Sequence, residues 1–265
     1  MPNWLVFNLA VTQTSLCVRT ERQSVEDYKL SDQDIVLPKD IIIQFPIHAI
    51  HYQKDFYPEP EKFDPERFLP ENRDKIRPFT YLPFGAGPRN CIAERFALLE
   101  IKLCLAKVIR SFVFHRVPET SVCKFIFVYN IYSWTKLPVV DRFVCSIQDI
   151  DISDDVAAKM VSVINGGPWK RIRSKMSPTF SSGKMRKMAH LINECAETTC
   201  KNLAEISETK KPYNIKEIFG AFTMDVIATT AFGTKLDSHH DPDNPFVKNA
   251  QKAFNQEQSI TLLLI

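Results

Sequence analysis

No apolar run in the chain approaches the roughly 20 residues that a helix needs to cross a bilayer. The short apolar stretch at residues 1–11 lacks the basic flank and cleavage site of a secretion signal. There is no CxxC pair and no histidine-rich tract, which argues against a zinc site. The seven cysteines (Cys17, Cys91, Cys104, Cys123, Cys145, Cys195 and Cys200) are odd in number and show no paired spacing. They imply a reducing compartment rather than a disulfide framework. A net charge of +3 on 265 residues argues against nucleic-acid binding and against an acidic partner. No internal repeat is present. What remains, at 45% hydrophobic and 25% charged residues, is an ordinary globular composition, enough for one large domain or two small ones. The chain closes on an apolar run, Ile260 to Ile265, where a complete domain seldom ends, so a truncation is expected.

Local patterns give the expected elements. Ile35-Val36-Leu37 and Ile41-Ile42-Ile43 read as short strands around a turn at Pro38-Lys39-Asp40. Residues 54–90 carry Pro58, Pro60, Pro65, Pro70, Pro78, Pro83 and Pro88, a density that forbids long helices and implies a meander held by side chains. Ile92 to Phe112 reads as a helix with Ile92, Phe96, Leu99, Leu103 and Ala106 on one face. Residues 121–138 are aromatic and β-branched, a strand or an aggregation-prone linker. A helix starts at Trp169. Another runs from Lys184 to Ile206, with Met188, Leu191, Ile192, Cys195 and Leu203 inward and Ser181 or Ser182 as cap. A third follows Asn214, with Ile215, Ile218, Phe219, Phe222 and Val226 on its apolar face and Gly233 as its stop.

The most informative segment is Pro83-Phe84-Gly85-Ala86-Gly87-Pro88-Arg89-Asn90-Cys91-Ile92-Ala93. It sets one thiol at the end of a glycine-rich loop, directly before a helix. Free backbone N–H groups and a helix dipole stabilise a thiolate there, and a single axial thiolate suits haem iron. Gly85 and Gly87 allow unusual dihedrals, Pro88 stiffens the loop, and Arg89 supplies a fixed positive charge. Taken alone, Cys91 could be a packed hydrophobe or a redox thiol, and for an isolated cysteine the packed reading is the commoner.

The loop resembles the haem-binding signature of the cytochrome P-450 superfamily, Phe-x-x-Gly-x-Arg-x-Cys-x-Gly/Ala, matched here by Phe84, Gly87, Arg89, Cys91 and Ala93. Tyr57 to Phe68 is similar to the family's meander, where the arginine at the position of Arg67 locks onto an upstream Glu-x-x-Arg helix. Val18 to Gln23 resembles the haem-lining strand of animal microsomal members, which makes Arg22, then Arg19, the candidate for a haem propionate, with a solvated charge as the alternative. Trp169-Lys170-Arg171-Ile172-Arg173-Ser174 resembles the C helix, in which Trp169 and Arg173 would reach propionates from one face. The alternative for that segment is a basic amphipathic helix start with one buried tryptophan. Phe219 to Ile227 resembles the E helix.

The resemblance implies a mainly α fold with a minor β part, incomplete and rearranged. Residues 1–120 look like the closing, haem-binding portion, 121–138 a junction, and 139–265 an early helical portion. Two family patterns are absent from the sequence: Ala/Gly-Gly-x-x-Thr, which handles oxygen, and Glu-x-x-Arg, whose absence should leave Arg67 unpartnered and the meander loose. Two explanations fit that order: a fusion of the end of one gene copy with the beginning of a neighbouring copy, which is the favoured one, or a rearranged product that retains some binding. By resemblance the cofactor is haem b (iron protoporphyrin IX) with Cys91 as iron ligand. Phe84, Gly85, Gly87, Arg89, Arg22, Trp169 and Arg173 would contact the cofactor. The implied activity is a haem-thiolate monooxygenase of the drug- and steroid-oxidising branch, impaired here, acting on a small apolar substrate. Its partner would be an NADPH-dependent flavoprotein reductase, and its location the cytosolic face of the endoplasmic reticulum membrane. The other readings are a non-catalytic haem-binding or interaction remnant, and a thiol redox protein.

Overall fold

The computed structural model of the protein describes residues 19–31, 34–115, 117, 159–250 and 252. The expectations for residues 1–11, for the junction 121–138 and for the C-terminal apolar run lie outside these. The described residues are mainly helical, with two small antiparallel ladders. The chain divides into two compact units, one of Met1–Cys91 with Asp141–Lys170, the other of Ile92–Val140 with Arg171–Ile265.

In the first unit, β1 (Thr20–Gln23) pairs antiparallel with β4 (Ile42–Phe45), Thr20 facing Phe45 and Gln23 facing Ile42. β2 (Tyr28–Lys29) pairs with β3 (Val36–Leu37). The two β-branched runs are strands as the sequence implies, but each pairs with an earlier segment rather than with the other. Ser24 explains why. Its hydroxyl donates to the Pro38 carbonyl at 2.6 Å and accepts the Ile41 N–H at 3.0 Å, so the Pro38–Asp40 turn is stitched to the end of β1. A short helix, α1 (Ile47–His51), follows β4.

The proline-rich stretch then makes two 3₁₀ turns, Pro65–Phe68 and Pro70–Lys75, each opened by its proline, where a missing N–H is harmless. Asp64 caps the first by accepting the Glu66 N–H at 3.1 Å. Arg67 is not left without partners. Its Nη2 donates to the Glu59 carbonyl at 2.8 Å, and its Nε lies 3.6 Å from Asp64 Oδ2. The expected looseness of the meander is corrected here, because a guanidinium with five donors finds acceptors in the bend itself. Phe68 is buried against Tyr81, their rings 5.0 Å apart.

The second unit is built on α2 (Glu94–Ser111), α4 (Ser182–Thr209) and α5 (Ile215–Ala231). α3 (Gly166–Met176) enters it from the first unit. Cys104 and Val108 of α2 form one core with Ile192, Ala196 and Leu203 of α4 and Ile218, Phe222 and Val226 of α5. Each such fully buried aliphatic or aromatic side chain stabilises by about 1.5–3 kcal/mol. The buried row of α2 is Glu100, Cys104 and Val108, at i, i+4 spacing, with Phe96, Leu99 and Leu103 flanking it. The sequence reading centred this face on the flanking leucines, since a charged Glu100 does not announce itself as core. The helix also starts at Glu94, two residues later than expected.

The caps divide between expectation and correction. Asn214 accepts the Lys216 N–H at 3.1 Å, as the sequence implies for a helix start. Gly233, at φ 67°, follows the end of α5, where a left-handed residue lets the Thr234 N–H reach the Ala228 carbonyl at 3.0 Å. Ser181 holds the N-cap position of α4 without a side-chain bond, while the Ser182 hydroxyl receives Arg95 Nη2 at 3.0 Å. Ile215, expected inward, is exposed.

Candidate functional site

The cysteine loop is closed by its own backbone. The Gly85 N–H donates to the Leu82 carbonyl at 3.1 Å, the Asn90 N–H to Gly87 at 3.0 Å, and the Cys91 N–H to Phe84 at 2.9 Å. Two reversals so near each other require left-handed dihedrals, and Gly85 and Gly87 supply them at φ 71° and 76°. A Cβ at Gly87 would meet nothing within 4 Å, so its need for glycine is conformational rather than steric. The loop leaves Cys91 exposed and Phe84 half-buried. Cys104, by contrast, is buried, and its thiol is pushed up to about 12 by burial, with smaller contributions from Cys200 and Glu100. Of these two thiols, that of Cys91 is exposed to solvent and that of Cys104 is packed as a hydrophobe.

Arg89 and Trp169 meet, though 80 positions separate them in the sequence. The guanidinium carbon stands 4.5 Å from the centroid of the indole ring, a cation–π pair. Nη2 of Arg89 also donates to the Ile164 carbonyl at 2.8 Å and to Asn165 Oδ1 at 2.7 Å. These contacts tie the cysteine loop to the turn that precedes α3, all within the first unit. Trp169 sits inside the first turn of α3 rather than at its start, because the helix opens at Gly166. Arg173 follows Trp169 one turn later on the same helix and is half-buried; its carbonyl accepts the Ser177 hydroxyl at 2.8 Å.

Arg22 lies on β1 and engages its own strand. Its Nη1 donates to Thr20 Oγ1 at 3.0 Å and to the Glu21 carbonyl at 2.6 Å. Arg19 pairs with Glu21 at 3.1 Å, and Gln44 Nε2 donates to the same carboxylate at 2.7 Å across the ladder. Glu21 is buried, so the carboxylate that Arg19 pairs with is internal. Of the sequence-predicted residues, then, Phe84, Gly85, Gly87, Arg89 and Cys91 share one loop, and Trp169 joins it through Arg89. Arg22 stands on β1 with bonds to its own strand, and Arg173 stands on α3.

Sequence reasoning missed His51. It is 3% exposed at the end of α1, and its Nε2 accepts the Leu82 N–H at 2.9 Å. Its ring lies between Tyr57 and Tyr81. Burial, and secondarily the charge on His48, pushes it down to about 4. The only signal was its position in the apolar Ile47–Ile50 run, which does not reveal a partner 31 residues away. Among the described residues no group of three metal-ligating side chains gathers, and no helix is long and apolar enough to cross a membrane.

Against known proteins, the family model for Cytochrome P450 matches residues 13–128 and 149–265. Cytochrome P450 9e2 from Blattella germanica is 48% identical over 104 residues, which is 39% of this chain and 20% of that protein. Probable cytochrome P450 6a13 from Drosophila melanogaster is 45% identical over 101 residues, 38% of this chain and 20% of that protein. Cytochrome P450 3A29 from Sus scrofa is 40% identical over 118 residues, 44% of this chain and 23% of that protein. The match thus spans about a fifth of the length of each of these three relatives.

Proposed function

We propose a haem-thiolate role for this chain, which belongs to the cytochrome P450 family, in its animal microsomal-type branch. Members of that family bind haem b, and the donor set of the first unit fits such a group. A thiol is exposed at Cys91, and a guanidinium and an indole N–H stand together at Arg89 and Trp169. Cys91 would ligate the iron as thiolate. The loop carrying Gly85 and Gly87 would let backbone N–H groups approach the sulfur, and Phe84 would pack on the ring. Arg89, Trp169, Arg22 and Arg173 would bind the propionates. For Arg89 this means exchanging the Asn165 amide oxygen for a carboxylate, a stronger, charge-assisted partner.

When bound, the haem supplies oxygen chemistry: with two electrons and two protons, one atom of O₂ enters an apolar substrate and the other leaves as water. We assign the electron supply to an NADPH-dependent flavoprotein reductase, the substrate to the small apolar class, and the location to the cytosolic face of the endoplasmic reticulum membrane. No nucleic-acid partner belongs to this reading. Activity is proposed to be impaired, since the sequence carries neither Ala/Gly-Gly-x-x-Thr nor Glu-x-x-Arg. We further read residues 1–120 as a closing portion of the family's fold and 139–265 as an early portion, joined at 121–138 by fusion of gene copies. Transcript sequencing across 121–138 tests that order, and a message that skips the junction overturns it.

One observation carries the haem reading: an exposed Cys91 behind two left-handed glycines, in the same unit as the Arg89–Trp169 pair. The test is the carbonyl difference spectrum of the purified, haem-supplied and reduced chain. The strongly red-shifted band of thiolate ligation is expected, and it should vanish in Cys91→Ala. A spectrum without that band in the parent chain refutes the reading. The second reading, a haem-binding remnant without catalysis, is favoured by Arg22 and Arg89 already bonding protein oxygens. It predicts haem uptake with no product in a reductase-coupled assay.

A further inference from the structure

His51 holds an unusual place for a histidine outside the haem-contacting set. It is 3% exposed and reaches from α1 to the opening of the cysteine loop. Nε2 accepts the Leu82 N–H at 2.9 Å, so that nitrogen carries no proton, and in the neutral ring the proton must sit on Nδ1. Nδ1 is itself buried and makes no hydrogen bond among the described residues. A ring that leaves one nitrogen unsatisfied is stabilised by the bond its other nitrogen makes and by its packing. Tyr57 meets it edge-on at 6.3 Å and Tyr81 stacks at 5.9 Å.

The bond is connected to the sulfur through the backbone. Leu82 receives its fixed N–H partner from His51, and its carbonyl accepts the Gly85 N–H at 3.1 Å. From Gly85 the chain passes to Gly87 at positive φ and returns so that the Cys91 N–H meets the Phe84 carbonyl at 2.9 Å. The loop between these points turns on two glycines; Arg89 holds its far side through Ile164, Asn165 and Trp169, and its near end is set by how Leu82 is held.

We propose that His51 is a positioning residue: by accepting the Leu82 N–H it anchors the start of the cysteine loop and sets the presentation of the Cys91 sulfur. For its consequence in haem binding, this rests on the haem-thiolate reading above. The depressed basicity of the ring supports it, because a histidine held neutral remains an acceptor throughout the physiological range.

The test uses the full chain in three forms: parent, His51→Gln and His51→Leu. Glutamine places an amide oxygen near the position of Nε2; leucine fills volume without an acceptor. In the haem-free protein, amide hydrogen exchange at Leu82 and the alkylation rate of Cys91 are measured. Both should rise roughly tenfold in His51→Leu and stay near the parent values in His51→Gln. In haem-supplied protein the fraction of thiolate-type carbonyl band should fall in His51→Leu and recover in His51→Gln. Unchanged Leu82 exchange and Cys91 alkylation in a folded His51→Leu overturn the inference. Should His51→Leu lose its helical circular dichroism, the ¹⁵N shifts of His51 in the parent chain decide instead: a protonated Nε2 refutes the bond. A parent chain that responds as expected without haem, yet shows no thiolate band with it, overturns the haem reading and leaves the positioning role intact.

Discussion

Replacing Glu100 by glutamine should stabilise the second unit, and the gain should depend on pH. Glu100 lies on the buried row of α2 with Cys104 and Val108, at 9% exposure. Burial pushes its carboxyl from 4.5 up to about 7, and a hydrogen bond with Thr223 offsets only part of that. A carboxyl whose folded value is raised binds its proton more tightly in the native state. The native state is therefore penalised as pH rises through 4.5 and carries the whole penalty above about 7. At about 1.4 kcal/mol per pH unit over that interval, the penalty is at most ~3 kcal/mol. Glutamine keeps the shape and can still bond Thr223, but has nothing to ionise. Urea denaturation followed by far-ultraviolet circular dichroism should show Glu100→Gln more stable than the parent by roughly 2–3 kcal/mol near pH 8. Near pH 4 the two should coincide to within about 0.5 kcal/mol. A difference that does not change with pH, or a variant weaker than the parent near pH 8, would refute the account of Glu100 as a buried, reluctantly ionised acid.

Three further outcomes are expected. Ile192→Ala removes a fully buried side chain from the α2–α4–α5 core and should cost about 2–5 kcal/mol in the same denaturation assay. Asn214→Ala loses the bond to the Lys216 N–H and should lower stability by about 1 kcal/mol, with Asn214→Asp retaining most of it. Under native conditions a thiol-alkylating reagent, read out by peptide mass spectrometry, should label Cys91 well before Cys104, which should react only when the chain is unfolded; early labelling of Cys104 would contradict its burial.

Much of this protein is written locally. The glycine loop before α2, the lack of a long helix in the proline-rich stretch, the Asn214 cap and the Gly233 stop were each legible from a few neighbouring residues, because each depends on dihedral preference or on a bond spanning a few positions. The candidate ligand Cys91 was legible for the same reason. What the sequence did not show was which particular donors and acceptors the folded backbone brings together. The two β-branched runs were legible as strands, but their pairing in separate ladders, with Ser24 holding the turn between them, was not. Arg67 looked unpartnered, yet the bend of its own segment feeds it a carbonyl.

The amino-acid order alone determined which residue types stand beside Cys91 and which segments coil, since these follow from chain sterics and short-range hydrogen bonding. Tertiary structure alone decided that Arg89 would face Trp169, that His51 would hold Leu82, and that a glutamate would sit in the core at Glu100. Those outcomes depend on loss of water around a group and on donors and acceptors brought together by packing, and neither is visible in the residues on either side.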